Sequence, residues 1–166
     1  WSAGCSSGEE AYTIAITISE FNEHHPGPDY SILGTDISTD ILKQAVNAIY
    51  KEEKVSNMPI DLKKKYLMKS KDRQRKLVRI VPELRKKAQF RRMNLMDASY
   101  SHNETFDMIF CRNVLIYFNR DVQEAVIRKL LGKLRTGGYF FIGHSESIMG
   151  MDVPLKQIKP TIFKHV

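Results

Sequence analysis

The sequence predicts an α/β protein: a mostly parallel sheet with helices on both faces, interrupted by a small inserted antiparallel β subdomain. Three observations lead there. Strand-like apolar segments alternate with segments of helical periodicity toward both ends of the chain. Phe106–Cys111 and Tyr139–Gly143 are nearly unbroken apolar runs, the pattern of parallel strands covered on both faces. Between Tyr50 and Pro82 the alternation stops and Lys and Arg crowd in.

The elements follow in order. Trp1–Ala3 is a short apolar strand end, and Gly4–Gly8 is a loop of small residues. Glu9–Phe21 has helical spacing, with Tyr12, Ala15, Ile16 and Ser19 on one face, and His24-His25-Pro26-Gly27-Pro28 breaks it. Tyr30–Thr35 reads as a strand closing on Asp36. Ser38 is a cap for a helix from Thr39 to about Ile49. In the basic stretch the short apolar pieces read as small strands or turns, Leu77–Val81 being the clearest strand. A strand from Gln89 to Asn94 follows, then Phe106–Cys111, a loop from Arg112 to Phe118, and a helix from Asp121 to Leu134 ended by Thr136-Gly137-Gly138. Tyr139–Gly143 is a buried strand, and Leu155–Val166 a last strand or hairpin at the edge.

The chain has 166 residues, 42% hydrophobic and 27% charged, which suits one soluble globular domain rather than a disordered chain. No apolar run has the length to cross a bilayer and no secretory signal is visible. Two cysteines, Cys5 and Cys111, argue for a cytoplasmic protein without a disulfide framework, and both are expected to be small buried packing residues. The net charge of +7 is uneven. Lys51 to Arg92 holds 16 Lys and Arg against 5 Asp and Glu, so the remainder of the chain is net negative. Such a segment is either the solvated face of an inserted subdomain or an attractor for acidic partners. His24, His25 and His102 lie in loops without metal-ligand spacing, so no metal is expected. The chain opens on Trp1 rather than Met, which reads as a fragment with something upstream.

In an α/β sheet, ligands bind outside the carboxyl ends of the strands. Four such positions carry polar or small residues here. Gly4, with Ser6, Ser7 and Gly8, lets backbone approach a ligand at a helix start. Asp36, at the next strand end, is placed to accept hydrogen bonds from ribose hydroxyls. Asn94 and Leu95 offer an amide and an apolar side chain to an adenine. Arg112 and Asn113 follow a fully apolar strand, and Tyr117 brings a ring and a hydroxyl that either orient a substrate carboxylate or pack under the next helix. These features point to an adenosine-containing cofactor. The loop lacks Gly-x-Gly-x-x-Gly, and the carboxylates Glu9 and Glu10 suit a cationic sulfonium better than a pyrophosphate. A nucleic-acid methyltransferase, a non-catalytic cofactor-sensing module and a nicotinamide-dependent oxidoreductase stay open as alternatives.

Four segments together resemble a known family: Trp1-Ser-Ala-Gly-Cys-Ser-Ser-Gly-Glu-Glu10, Thr35-Asp36-Ile37-Ser38, Phe110-Cys-Arg-Asn-Val-Leu-Ile-Tyr-Phe118 and Gly143-His-Ser-Glu-Ser147. They are similar, in the same order, to the motifs of CheR, the S-adenosylmethionine-dependent protein-glutamate methyltransferase of bacterial chemotaxis. The resemblance implies a class I, Rossmann-like S-adenosylmethionine-dependent methyltransferase fold, with residues 50–87 as the inserted antiparallel subdomain. It implies Gly4, Glu10, Asp36, Asn94, Leu95, Arg112 and Asn113 as cofactor contacts, with Glu10 toward the methionine part, and Tyr117 facing the methyl group. His144, Ser145 and Glu146 would lie near the site. It implies S-adenosyl-L-methionine as cofactor, S-adenosyl-L-homocysteine as product, and methyl ester formation on receptor glutamates. The partner would be the helical cytoplasmic region of chemoreceptors, with no nucleic acid and no membrane insertion. A helical domain and a pocket-completing segment precede the corresponding position in the family. In some members the insertion also grips a receptor's C-terminal peptide, but Lys69–Lys76 lacks the glycines of that tight loop, which argues against such a tether here.

Overall fold

The computed structural model describes residues 1–100 and 103–166; His102 lies outside them. In chain order the elements are β1 (Ser2–Ala3), α1 (Glu9–His24), β2 (Ile32–Asp36), α2 (Thr39–Asn47), β3 (Ile49–Lys51), α3 (Ile60–Tyr66), β4 (Leu67–Lys69), β5 (Leu77–Ile80), α4 (Pro82–Lys87), β6 (Ala88–Arg92), β7 (Phe106–Cys111), α5 (Arg120–Leu131), β8 (Leu134–Ile142), β9 (Leu155–Lys159) and β10 (Ile162–His165). They fall into two compact units, one of Trp1–Gly4 with Met93–Val166 and one of Cys5–Arg92.

In the first unit β1 pairs parallel with β7, and β7 parallel with β8. The closing hairpin β9–β10 is antiparallel and joins β8 through β10. Helix α5 starts where Asn119 accepts the Val122 N–H at 3.1 Å. It buries Val126, Ile127, Leu130 and Leu131, at the spacing of one helix face. Each such burial contributes roughly 1.5–3 kcal/mol. Ile109, Cys111, Phe140 and Ile142 complete the core, and Phe110 stacks on Phe141 at 4.2 Å between ring centres. Trp1 is buried, its ring edge-on to Tyr100 at 5.6 Å.

In the second unit β2 and β6 pair parallel, Ile32 opposite Ala88 through Asp36 opposite Arg92. Gly34 faces Phe90 in that register, and a Cβ on Gly34 would lie 2.6 Å from the Phe90 ring, so the ring occupies the space a side chain would need. Strands β3, β5 and β4 form a separate antiparallel sheet in that order. Its Tyr50, Val78, Ile80 and Leu67 share one core with Tyr12 and Ala15 of α1 and Ile32 of β2. The buried hydroxyls keep partners: Tyr12 donates to the Ala45 carbonyl at 2.9 Å and Tyr50 to the Ser7 carbonyl at 2.8 Å.

The expected class is therefore present, with local differences. Helix α2 ends at Asn47 because Ala48 turns left-handed (φ 54), and Ile49 begins β3 with 45% of its surface exposed instead of completing an apolar helix face. Between Tyr50 and Pro82, where only small strands or turns were expected, lies the short helix α3, and α4 follows from Pro82, whose fixed φ suits a first helical residue. Helix α5 stops at Leu131 with Gly132 as its cap, so Thr136-Gly137-Gly138 lies inside β8 and does not terminate the helix. Strand β7 is not covered on both faces along its length: Asp107 and Met108 are exposed, and burial is complete only at Ile109 and Cys111. Strand β6 ends at Arg92, two residues short of the expected Asn94.

Candidate functional site

In the second unit the glycine-loop backbone meets the end of β2. The Cys5 N–H donates to the Thr35 carbonyl at 2.8 Å, and the Ser6 N–H donates to Asp36 Oδ2 at 3.0 Å, 30 residues away in sequence. Asp36 Oδ1 accepts the Ser38 N–H at 3.0 Å, an Asx turn at the strand end. Ser38 itself caps α2, accepting from the Ile41 N–H at 3.4 Å, so capping does not fall to Asp36. Each Asp36 oxygen thus holds one amide and keeps a lone pair for another donor, and the side chain is half-buried.

Glu10, in the first turn of α1, is half-buried; its neighbour Glu9 is committed elsewhere. Glu9 accepts the Ser7 hydroxyl at 2.6 Å and pairs with Lys54. Burial pushes the Glu9 carboxyl up, but the bonds from Lys54 and Ser7 outweigh it and hold the group below the usual carboxylate range. Glu9 is therefore held by partners within its own unit.

In the first unit, Gly4 has φ +80, and a Cβ there would stand 2.4 Å from Val114 Cγ2. Position 4 must be glycine for both backbone and packing reasons. Asn94 and Leu95 belong to a turn after β6: Asn94 Oδ1 accepts the Met96 N–H at 3.0 Å, and Leu95 is buried. The Leu95 carbonyl accepts both the Tyr100 hydroxyl at 3.1 Å and Lys129 Nζ at 2.7 Å, with Lys129 also on the Asp97 carbonyl at 2.6 Å.

Arg112 and Asn113 are exposed at the end of β7, Asn113 in a left-handed conformation (φ 59). Leu115–Tyr117 form a 3-10 turn, and Tyr117 is 79% exposed. Ordinary packing under α5, the alternative for this ring, is excluded. The turn is nonetheless tied at both ends. Gln123 Nε2 donates to the carbonyls of Leu115 and Phe118, both at 3.0 Å. On the other side, Glu146 gathers the N–H groups of Asn113 at 3.1 Å, Val114 at 2.9 Å, Leu115 at 2.8 Å and Gly143 at 2.5 Å.

Glu146, Gln123 and Lys129 are residues the sequence did not single out for these roles. Glu146 lies in the Gly143–Ser147 segment; apart from Gly143 its partners lie 31–33 residues away, and nothing local signals them. Both cysteines are free and buried as expected, and burial pushes the Cys5 thiol up to about 12. No helix among the described residues is long and apolar enough to cross a membrane.

Known proteins resemble this chain in both sequence and fold. The family described as CheR methyltransferase, SAM binding domain, matches residues 1–163. A chemotaxis protein methyltransferase of Borreliella burgdorferi is 42% identical over 165 residues, covering 99% of this chain and 57% of that protein. One of Escherichia coli is 35% identical over 152 residues, 92% of this chain and 53% of that protein. The chain spans a little over half the length of these relatives. Among solved structures, a SAM-dependent methyltransferase from Methanosarcina mazei superposes with a TM-score of 0.50 at 18% identity, over 85% of this chain and 49% of that one. At that identity the likeness shows the fold alone: that of SAM-dependent methyltransferases.

Proposed function

Because the chain belongs to the CheR methyltransferase family, as its SAM binding domain, we propose that it binds S-adenosyl-L-methionine and serves methyl ester formation on glutamate side chains of chemoreceptors, in the cytoplasm. The observation that carries the cofactor reading is the Ser6–Asp36 bond. A strand-end carboxylate and a glycine loop distant in sequence meet in one unit, and the carboxylate keeps acceptor capacity on both oxygens. That pair of acceptors fits the two hydroxyls of a ribose. Gly4, Asn94, Leu95, Arg112 and Asn113 are read as further cofactor contacts and Glu10 as the partner of its cationic end. Residues 50–87 are read as the inserted subdomain, whose basic surface suits an acidic helical receptor segment.

When bound, the cofactor supplies an electrophilic methyl group that a glutamate oxygen takes as the carbon–sulfur bond breaks, leaving S-adenosyl-L-homocysteine and the ester. A glutamate side chain is already ionised near neutral pH, so the protein has no proton to remove. Its work is alignment, an effect of up to roughly 7–11 kcal/mol in favourable geometry. Tyr117 is assigned to orient the incoming carboxylate through its hydroxyl.

Calorimetry with S-adenosyl-L-homocysteine tests the cofactor reading. Asp36→Ala removes a charged acceptor whose hydrogen bonds are each worth about 1.5–3 kcal/mol, so affinity should fall at least about tenfold. Unchanged affinity in a folded variant would refute the ribose assignment.

A further inference from the structure

We infer that Glu146 is the positioning residue for Tyr117: an internal anion on which the loop carrying that tyrosine is seated. The inference rests on the reading of Tyr117 given above and extends it to a group that never touches substrate.

The geometry is confined to the carboxyl ends of two paired parallel strands, β7 and β8, where Cys111 stands opposite Ile142. Beyond them the chain turns, left-handed at Asn113, so that the successive N–H groups of Asn113, Val114 and Leu115 point at one place. Converging amides of this kind form a nest for an anion. Glu146 supplies that anion from the neighbouring loop, with Oε1 on Val114 and Leu115 and Oε2 on Asn113 and on Gly143 of its own turn. A carboxylate offers about four acceptor positions, and here four backbone N–H groups fill them. This separates Glu146 from Asp36, which keeps capacity for a ligand. Glu146 has none left for a cofactor, so its contribution is structural order at the loop. Bonds to an ionised acceptor are about twice as strong as neutral ones, and the turn they anchor runs directly into Tyr117, fixed on its far side by Gln123. An exposed ring at the end of a three-residue turn would otherwise have little packing to hold its direction.

Glu146→Gln tests this with little change of volume. The amide nitrogen replaces one accepting oxygen, so two of the four N–H groups face a donor. Hydrogen exchange should show faster exchange at two or more of Asn113, Val114, Leu115 and Gly143, with Ile109 in the strand unchanged. Turnover is then measured on a receptor cytoplasmic fragment at saturating S-adenosylmethionine, in the intact protein, for wild type, Tyr117→Phe, Glu146→Gln and the double variant. Each single variant is expected to lower kcat about tenfold with the fragment's KM within about twofold, and the double variant to be no slower than the slower single one. Wild-type kcat in Glu146→Gln beside an impaired Tyr117→Phe would overturn the inference and leave Tyr117 in place. Multiplying defects in the double variant would also overturn it, since Glu146 would then act by another route. Wild-type kcat in Tyr117→Phe would remove the tyrosine reading, and the inference with it. Should Glu146→Gln fail to fold, Glu146→Asp, which keeps the charge on a shorter arm, enters the same cycle and is judged by the same outcomes.

Discussion

Cys5 shows how much one buried atom can tie stability to pH. Its thiol is buried beside the Asp36 carboxylate, and desolvation first, then that charge, raise its pKa from 9.0 to about 12. The folded state therefore holds this proton more tightly than the unfolded chain does. The resulting stabilisation is complete below the unfolded pKa, near 8.5–9, and is lost as pH rises toward 12. Wild type should lose stability relative to Cys5→Ala between pH 8 and 10.5, by up to about 1.4 kcal/mol per pH unit once the unfolded thiol ionises. Urea unfolding at a series of pH values reads this, and parallel curves for the two proteins would contradict it. Gly4 is constrained in a different way. With φ +80 and Val114 only 2.4 Å from a would-be Cβ, Gly4→Ala should cost about 1–3 kcal/mol in thermal unfolding. A loss below about half a kcal/mol would show that Val114 yields freely.

At the scale of elements, β3 and the turn after it are attached to the glycine loop and the start of α1 by two unlike contacts. Tyr50, on β3, donates from a buried hydroxyl to the Ser7 carbonyl, whereas Lys54 reaches Glu9 across a half-exposed surface. Tyr50→Phe should therefore cost about 1–2 kcal/mol, leaving a buried carbonyl unpaired. Lys54→Ala should cost less than about 1 kcal/mol and matter less as salt rises. Chemical denaturation of the two variants side by side checks the order, and a larger loss for Lys54→Ala would reverse this account. These attachments also mark what a sequence discloses. Ser38 as a cap and the helix begun at Glu9 follow from neighbours within four residues, so they are legible, although α1 runs on to His24, past the expected end at Phe21. The end of α5 is not: Gly132 stops the helix, while the more conspicuous Gly137-Gly138 pair is drawn into β8 by pairing with β7. The exposure of Met108 escapes for the same reason, because an apolar run cannot say which of its residues tertiary neighbours will cover.

For the molecule as a whole, charge is the property with reach. The surplus of cations between Lys51 and Arg92 persists although Lys51, Lys65, Lys69, Arg75 and Lys87 have acidic partners. If the receptor segment is acidic, KM for a receptor fragment should rise several-fold between 50 and 200 mM salt while kcat stays level. A salt-independent KM would assign the basic surface to solvation alone. The candidate residues of the two units divide similarly between what is near and what is far in sequence. Asp36, Asn113 and Tyr117 announce themselves as polar residues after apolar strands, but Glu146 joins partners more than thirty residues distant and is visible only once β7 and β8 lie side by side. The same logic of paired strands governs Gly34 and Phe90. The ring fills the hollow above the glycine, so neither position is free to vary alone: Gly34→Ala collides with the ring, and a smaller residue at 90 leaves a void over bare backbone. An alanine at 34 calls for a trimmed side chain at 90 and still brings its Cβ to 3.0 Å from the Cys5 sulfur, so a change at any one of these three positions is felt at the other two, in the strand that ends at Asp36.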